Sequence, residues 1–218
     1  MDATQGAPAG QKTFGGRSWI SFLLLVAAIL VYVAIVGGRR GPPSGAEGPA
    51  IGRRLPYFRL EPLTGDSKSV SMDDLSGRVT VVNYWGTWCP PCLREFPQIV
   101  ELAAKFGKHD DFRLYAVSCG ASGNDAELGE LGEETRQFLL SNRFALPSYA
   151  DQNAASRRAM TVALDFDGGE MAYPTTLVLD RSATIHGLWQ GYDPRAAREM
   201  AQLIEELLQE SPTDRKSD

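Results

Sequence analysis

The residues that staple small secreted domains and ligate metals are scarce here: 218 residues hold only three cysteines and two histidines. Three cysteines cannot build a disulfide scaffold, so the globule must rest on an apolar core. The chain is long enough for one such domain with appendages. An excess of positive charge is also missing. The formal net charge is −5, whereas a nucleic-acid partner calls for a basic face. Internal repeats are absent. Hydrophobic residues make up 43% and charged residues 22%, the balance of an ordinary globular domain.

Polar side chains are nearly absent from one stretch. Trp19 to Val36 reads WISFLLLVAAILVYVAIV, with Ser21 its one clearly polar residue. As a helix it would span about 27 Å, close to a bilayer core of about 30 Å. A cleaved signal peptide is the rival, but its apolar core is shorter and its cleavage site wants an A-x-A-like pattern. Ile35 and Val36 precede Gly37 and Gly38 here. The reading is an uncleaved anchor over 19–36 that contacts the lipid bilayer. Lys12 and Arg17 precede it and Arg39 and Arg40 follow, so the positive-inside rule does not fix its orientation. A short polar segment, 1–18, comes before it. Residues 37–50 are rich in glycine and proline and read as a flexible linker. The domain is expected over 51–210, with a solvated tail over 211–218.

Within the domain, strand and helix patterns alternate. Tyr57 to Leu60 is a short strand candidate. Val79 to Trp85 is apolar with little alternation, as in a central strand covered on both faces. Leu93, Phe96, Ile99, Val100, Ala103 and Phe106 recur at helical spacing, and Pro97 is expected to kink that helix. Phe112 to Ser118 reads as a strand, Glu133 to Asn142 as a helix, and Leu146 to Tyr149 as the start of a strand. Thr175 to Asp180 and Thr184 to Trp189 flank a hairpin turn. Pro194 to Leu208 closes as an amphipathic helix. The order predicts an α/β fold: a mixed central sheet with helices on both sides.

Two of the three cysteines stand three positions apart in Trp88-Cys89-Pro90-Pro91-Cys92, between the apolar strand and the helix. A thiolate is the attacking species in thiol–disulfide exchange, so a working cysteine needs a lowered pKa. A helix N-terminus supplies this through its partial positive charge and free N–H groups. Pro90 and Pro91 fit the first turn, where no N–H partner is lost. Cys89 is expected to be the more exposed and to attack a target disulfide; Cys92 then resolves the mixed disulfide. Half of a zinc site is the first alternative, but the remaining soft ligands are Cys119, His109 and His186, with no second pair. Haem attachment needs His where Leu93 stands. An inert structural disulfide would sit oddly at a strand–helix junction with two prolines.

Val82-Asn83-Tyr84-Trp85-Gly86-Thr87-Trp88-Cys89-Pro90-Pro91-Cys92-Leu93-Arg94-Glu95-Phe96-Pro97 resembles the thioredoxin-like TlpA/ResA family of membrane-anchored thiol–disulfide oxidoreductases. The likeness extends from about Ile51 to Leu208 and includes Ile51 to Phe58 and Tyr173 to Asp180. It implies a thioredoxin fold, an extracytoplasmic (periplasmic) domain on a single-pass anchor, no cofactor and no metal. It also implies a mainly reducing role, recharged by a membrane thiol electron donor. Disulfide-containing partner proteins are the implied substrates, such as apocytochrome c or the cysteines of oxidase-assembly proteins.

The resemblance also assigns residues. Pro174 would be a cis-proline facing Cys89 and Cys92, and Tyr173 would offer backbone to an extended substrate. Trp88 and Pro90 would complete the substrate-facing rim. Glu95, on the face of Cys92, would tune the thiols and shuttle protons; it is equally a first-turn acid favoured by the helix dipole. Asn83 stands where thioredoxin has a buried acid, and Asn cannot accept a proton in the same way. Trp85 reads as core, and Cys119 as a buried inert thiol. Two segments depart from the family's form: an acidic, glycine-rich loop at 119–131 and a lengthened approach to Pro174 at 163–172. They leave open which partner is selected. The same fold also serves oxidases and isomerases, from which only the reduction potential separates a reductase. A copper-binding assembly module would want Met or His beside the thiols. A peroxidase would want a proline-led loop that is missing before Cys89.

Overall fold

The computed structural model describes Trp19 and residues 22–29, 45–65, 68–121, 128–164 and 171–210. The chain divides into two units, Met1–Gly41 and Pro42–Asp218. In the first, Trp19 and residues 22–29 are helical. No helix among the described residues is long and apolar enough to cross a membrane. Most of the N-terminal segment, the rest of the expected anchor, linker residues 37–44 and the tail lie outside the described residues.

The second unit is a seven-stranded mixed sheet. Its strands are β1 (Arg59–Thr64), β2 (Val70–Ser71), β3 (Val79–Trp85), β4 (Phe112–Ser118), β5 (Ser148–Ala150), β6 (Thr175–Leu179) and β7 (Ile185–Gln190). Their order is β2-β1-β5-β4-β3-β6-β7. The central pairs β3–β4 and β4–β5 are parallel; β3–β6, β6–β7, β1–β5 and β1–β2 are antiparallel. The helices are α1 (Met72–Leu75), α2 (Pro90–Phe106), α3 (Leu128–Asn142), α4 (Ala155–Leu164) and α5 (Ala196–Gln209).

β3 explains the layering. All seven of its residues are buried, and their alternation divides the core. Val79 and Val81 pack with Ile99, Leu102 and Phe106 of α2 and with Met200, Ile204 and Leu207 of α5. Trp85 joins Phe96 of α2 and Leu139 of α3 on that same face. Val82 and Tyr84 point to the other face, with Phe58, Leu60, Leu75 of α1 and Met160 and Leu164 of α4. Burying each such large apolar side chain stabilises the fold by about 1.5–3 kcal/mol. The mixed sheet with helices on both faces is therefore the predicted α/β architecture.

Several boundaries differ from the expectations, for local reasons. α2 starts at Pro90 and continues through Pro97. α3 starts at Leu128 rather than Glu133, which takes the end of the expected 119–131 loop into a helix; 122–127 lie outside the described residues. α4 has no counterpart among the expectations; its buried face carries a charged residue, Arg157, beside Ser156, Met160 and Leu164. It occupies Ala163 and Leu164 of the expected second insertion, whose residues 165–170 are not described. The two-residue β2 and the four-residue α1 are too short to leave a pattern; Ser71 and Asp74 form a capping box there. Residues 45–50, read as linker, pack on the domain. The amide of Leu188 donates to the carbonyl of Gly45, and Gly45 lies so close to the Trp189 indole that a Cβ would come within 2.1 Å. Downstream, Gly52, Arg53 and Leu55 exchange backbone hydrogen bonds with Ile185 and Ala183. This segment covers the outer edge of β7, which would otherwise present unpaired groups.

Candidate active site

The site lies where β3 hands over to α2. Cys89 is the N-cap of α2, in extended backbone geometry, and its Sγ accepts a hydrogen bond from the Cys92 amide at 3.2 Å. Pro90 and Pro91 occupy the first turn and carry no N–H, so the Cys92 amide is the first helical N–H and it donates to the cysteine sulfur, while the Leu93 amide donates to the Cys89 carbonyl. An N–H aimed at Sγ together with the helix dipole favours the thiolate at this position. Cys89 and Cys92 form a disulfide with Cα atoms 5.2 Å apart. Exposure separates the two less than the sequence suggests: 3% for Cys89 and 1% for Cys92. The surroundings distinguish them instead. Cys89 lies between two exposed residues, Trp88 and Pro90, whereas Cys92 is one turn into the helix beside buried Glu95 and Phe96.

Trp88 forms one lip. It is 43% exposed, yet its Nε1 donates to the Cys119 carbonyl at 2.8 Å. Gly86 permits this: a Cβ there would fall 2.4 Å from that nitrogen. The opposite lip is Tyr173–Pro174, joined by a cis peptide. The Tyr173 ring meets Trp88 edge-on at 5.4 Å and packs on the cluster that contains both cysteines. The Pro174 carbonyl accepts from the Gly191 amide at 2.7 Å. Trp85 is fully buried with its ring 4.0 Å from that of Phe96. Cys119, just past β4, is a buried thiol outside the disulfide, and its Sγ–H points to the Val117 carbonyl at 3.6 Å.

Glu95 is buried, at 3% exposure, on the inner face of α2. Asn83 of β3 donates from Nδ2 to the Glu95 carboxylate at 2.9 Å and to the Thr176 hydroxyl at 2.8 Å. Burial pushes the Glu95 carboxyl up to about 7, while the hydrogen bonds from Asn83 and Thr176 partly oppose it. A buried carboxyl without a cationic partner can hold or release a proton near neutral pH. Asn83 thus supports the acid rather than replacing it.

Sequence reasoning passed over three residues. Thr176 is one position inside β6. Asp151 follows β5, and Arg157 lies on α4. Asp151 and Arg157 form a buried ion pair at 3.1 Å, and Arg157 Nη1 donates to the Tyr173 hydroxyl. One signal was present for Arg157: it falls three residues before Met160 and seven before Leu164, on the stripe that α4 buries.

Comparison with known proteins agrees with this geometry. The Redoxin family profile matches residues 50–204. The chain is 29% identical over 194 residues to the thiol:disulfide interchange protein DsbE of Pseudomonas aeruginosa, covering 87% of this chain and 96% of that one. It is 32% identical over 102 residues to the thiol-disulfide oxidoreductase ResA of Bacillus subtilis, covering 46% and 51%. The crystal structure of a thiol:disulfide interchange protein DsbE from Chlorobium tepidum superimposes with a TM-score of 0.56 at 25% identity, covering 72% of this chain and 97% of that one. The chain belongs to the Redoxin family, and it is a thiol–disulfide oxidoreductase whose Cys89 and Cys92 form a disulfide.

Proposed function

We propose that this protein is a membrane-tethered, extracytoplasmic reductant of disulfides in partner proteins. The observation that carries the reading is the join of β3 to α2. A cysteine caps a helix under an N–H donor, a cis-proline loop lies on the same apolar cluster, and a carboxyl with a pKa of about 7 lies behind the second cysteine. In the reduced protein the Cys89 thiolate attacks one sulfur of the target disulfide. That S–S bond breaks, a mixed disulfide with Cys89 forms, and the first target thiolate leaves. The Glu95 carboxylate then takes the proton of Cys92. The Cys92 thiolate attacks Cys89 Sγ, and the second target thiolate leaves. Two electrons have moved to the target, and Cys89–Cys92 is a disulfide, the form seen here. A dithiol donor in the membrane restores it by the reverse exchange.

Trp88, Pro90, the ring and backbone of Tyr173, and Pro174 form the face on which an extended peptide lies. The anchor at 19–36 rests on the sequence of that run, and the tether keeps the domain near its electron donor. Cysteines of apocytochrome c or of metal-carrying assembly proteins are the favoured targets, by resemblance. Cys92→Ala tests the roles: mixed disulfides should accumulate on Cys89, and their partners name the substrate. Traps that form through Cys119 instead would overturn the assignment.

A further inference from the structure

We propose that the buried Asp151–Arg157 ion pair is a positioning device for the substrate groove, acting through the Tyr173 hydroxyl and the Trp88 ring. The inference rests on the reductase reading and adds how an extended peptide disulfide is favoured over a small one. Asp151 is fully buried and Arg157 is 4% exposed. The Asp151 carboxylate accepts from the Ser156 amide at 2.8 Å, the Arg157 amide at 2.9 Å and Arg157 Nε at 3.1 Å. It therefore fixes the start of α4 and the guanidinium together. Ser156 locks α4 to β1 in turn, exchanging hydrogen bonds with the Arg59 amide and carbonyl.

From this fixed base Arg157 Nη1 reaches the Tyr173 hydroxyl, with the Cys119 side chain beside that same hydroxyl. Tyr173 holds the Trp88 ring edge-on, and Trp88 is pinned from its far side by the Cys119 carbonyl. Tyr173 thus ends on the buried pair directly, and Trp88 is held between Tyr173 and the Cys119 carbonyl. Arginine suits the task because its planar fork donates to two separate acceptors at once; lysine has a single nitrogen on a flexible stem. A buried ion pair is a poor way to gain stability alone, since desolvation offsets most of its attraction. Its geometry is what an apolar pair would not supply. A peptide laid across the face that the two rings form depends on how they are held, whereas a small disulfide that reaches only Cys89 does not.

The test uses the pre-reduced full-length protein, mixed with an unfolded peptide bearing an oxidised Cys-x-x-Cys-His disulfide or with the small disulfide DTNB. Arg157→Lys should raise the peptide concentration for half-saturation about tenfold, the effect of losing one charged hydrogen bond. The DTNB rate and the potential of the dithiol should stay at their wild-type values. Tyr173→Phe leaves the ion pair intact and should reproduce the peptide defect, so it carries the test if the lysine variant fails to fold. The double variant should be no worse than either single one, because the two act through one contact. Wild-type half-saturation in Tyr173→Phe overturns the proposal, as does a parallel fall of the DTNB rate in Arg157→Lys. No oxidation of the wild-type dithiol by either disulfide overturns the reductase reading itself, and this inference with it.

Discussion

Two polar clusters are buried on opposite faces of the sheet beneath the site, and they are built on different principles. On the α2 face, Glu95 has amide and hydroxyl partners but, among the described residues, no cation. On the α4 face, Asp151 is matched by Arg157. The first arrangement leaves a carboxyl whose pKa burial raises to about 7; the second sets opposite charges 3.1 Å apart. An uncompensated acid is costly to bury and is useful where a proton must move. A compensated pair holds no transferable proton and is useful where geometry must persist. On the proposed reading, proton handling and substrate alignment fall to different clusters, with β3 and the dithiol between them.

The comparison can be broken most severely at the dithiol both clusters serve. Cys89→Ser should reduce turnover of peptide disulfides to the uncatalysed level, read by single-turnover mixing; residual turnover at a measurable fraction of wild type would remove Cys89 as nucleophile. Next in size is the ion pair. Arg157→Met leaves Asp151 charged and buried without its partner, and should cost about 3–5 kcal/mol in denaturant unfolding. Asp151→Asn combined with Arg157→Met should recover much of that loss while the peptide defect remains.

Glu95→Gln probes the other cluster. The folded pKa of Glu95 is raised from 4.5 to about 7, so the native state holds a proton that the unfolded chain releases between those values. Stability from the protonated form is full below pH 4.5 and falls as pH rises toward 7, by about 3 kcal/mol. Gln mimics the protonated form, so the variant should lose this slope and exceed wild type in stability at pH 8. The rate at which Cys92 resolves a trapped mixed disulfide should show an inflection near pH 7 in wild type and none in the variant. The smallest effect is expected at the rim. Trp88→Ala should change stability by about 1 kcal/mol or less, since the side chain is half exposed, while weakening peptide capture several-fold on the order of one lost aromatic contact.

Much of this centre was legible in the sequence because its chemistry is local. Strand, cysteines, prolines and helix lie in one continuous run, and each imposes a pattern readable without a partner. Glu95 was also reachable, being one turn beyond Cys92. What escaped depends on contacts distant in sequence. The Asn83–Thr176 contact spans 93 residues, and nothing in β6 marks Thr176 as different from Thr175. Arg157 resembles its exposed neighbour Arg158, and only the folded chain shows that one of the two is buried. The docked residues 45–50 were misread because glycine and proline mark flexibility in isolation, whereas here Gly45 is needed for close approach to Trp189.

The central claim is that Cys89–Cys92 is a reducing dithiol. Equilibrating the purified protein against graded thiol–disulfide buffers at pH 7, with and without Glu95→Gln, measures this directly. A potential well below about −200 mV is the predicted result, and a value near about −120 mV, where oxidising dithiols lie, would contradict it.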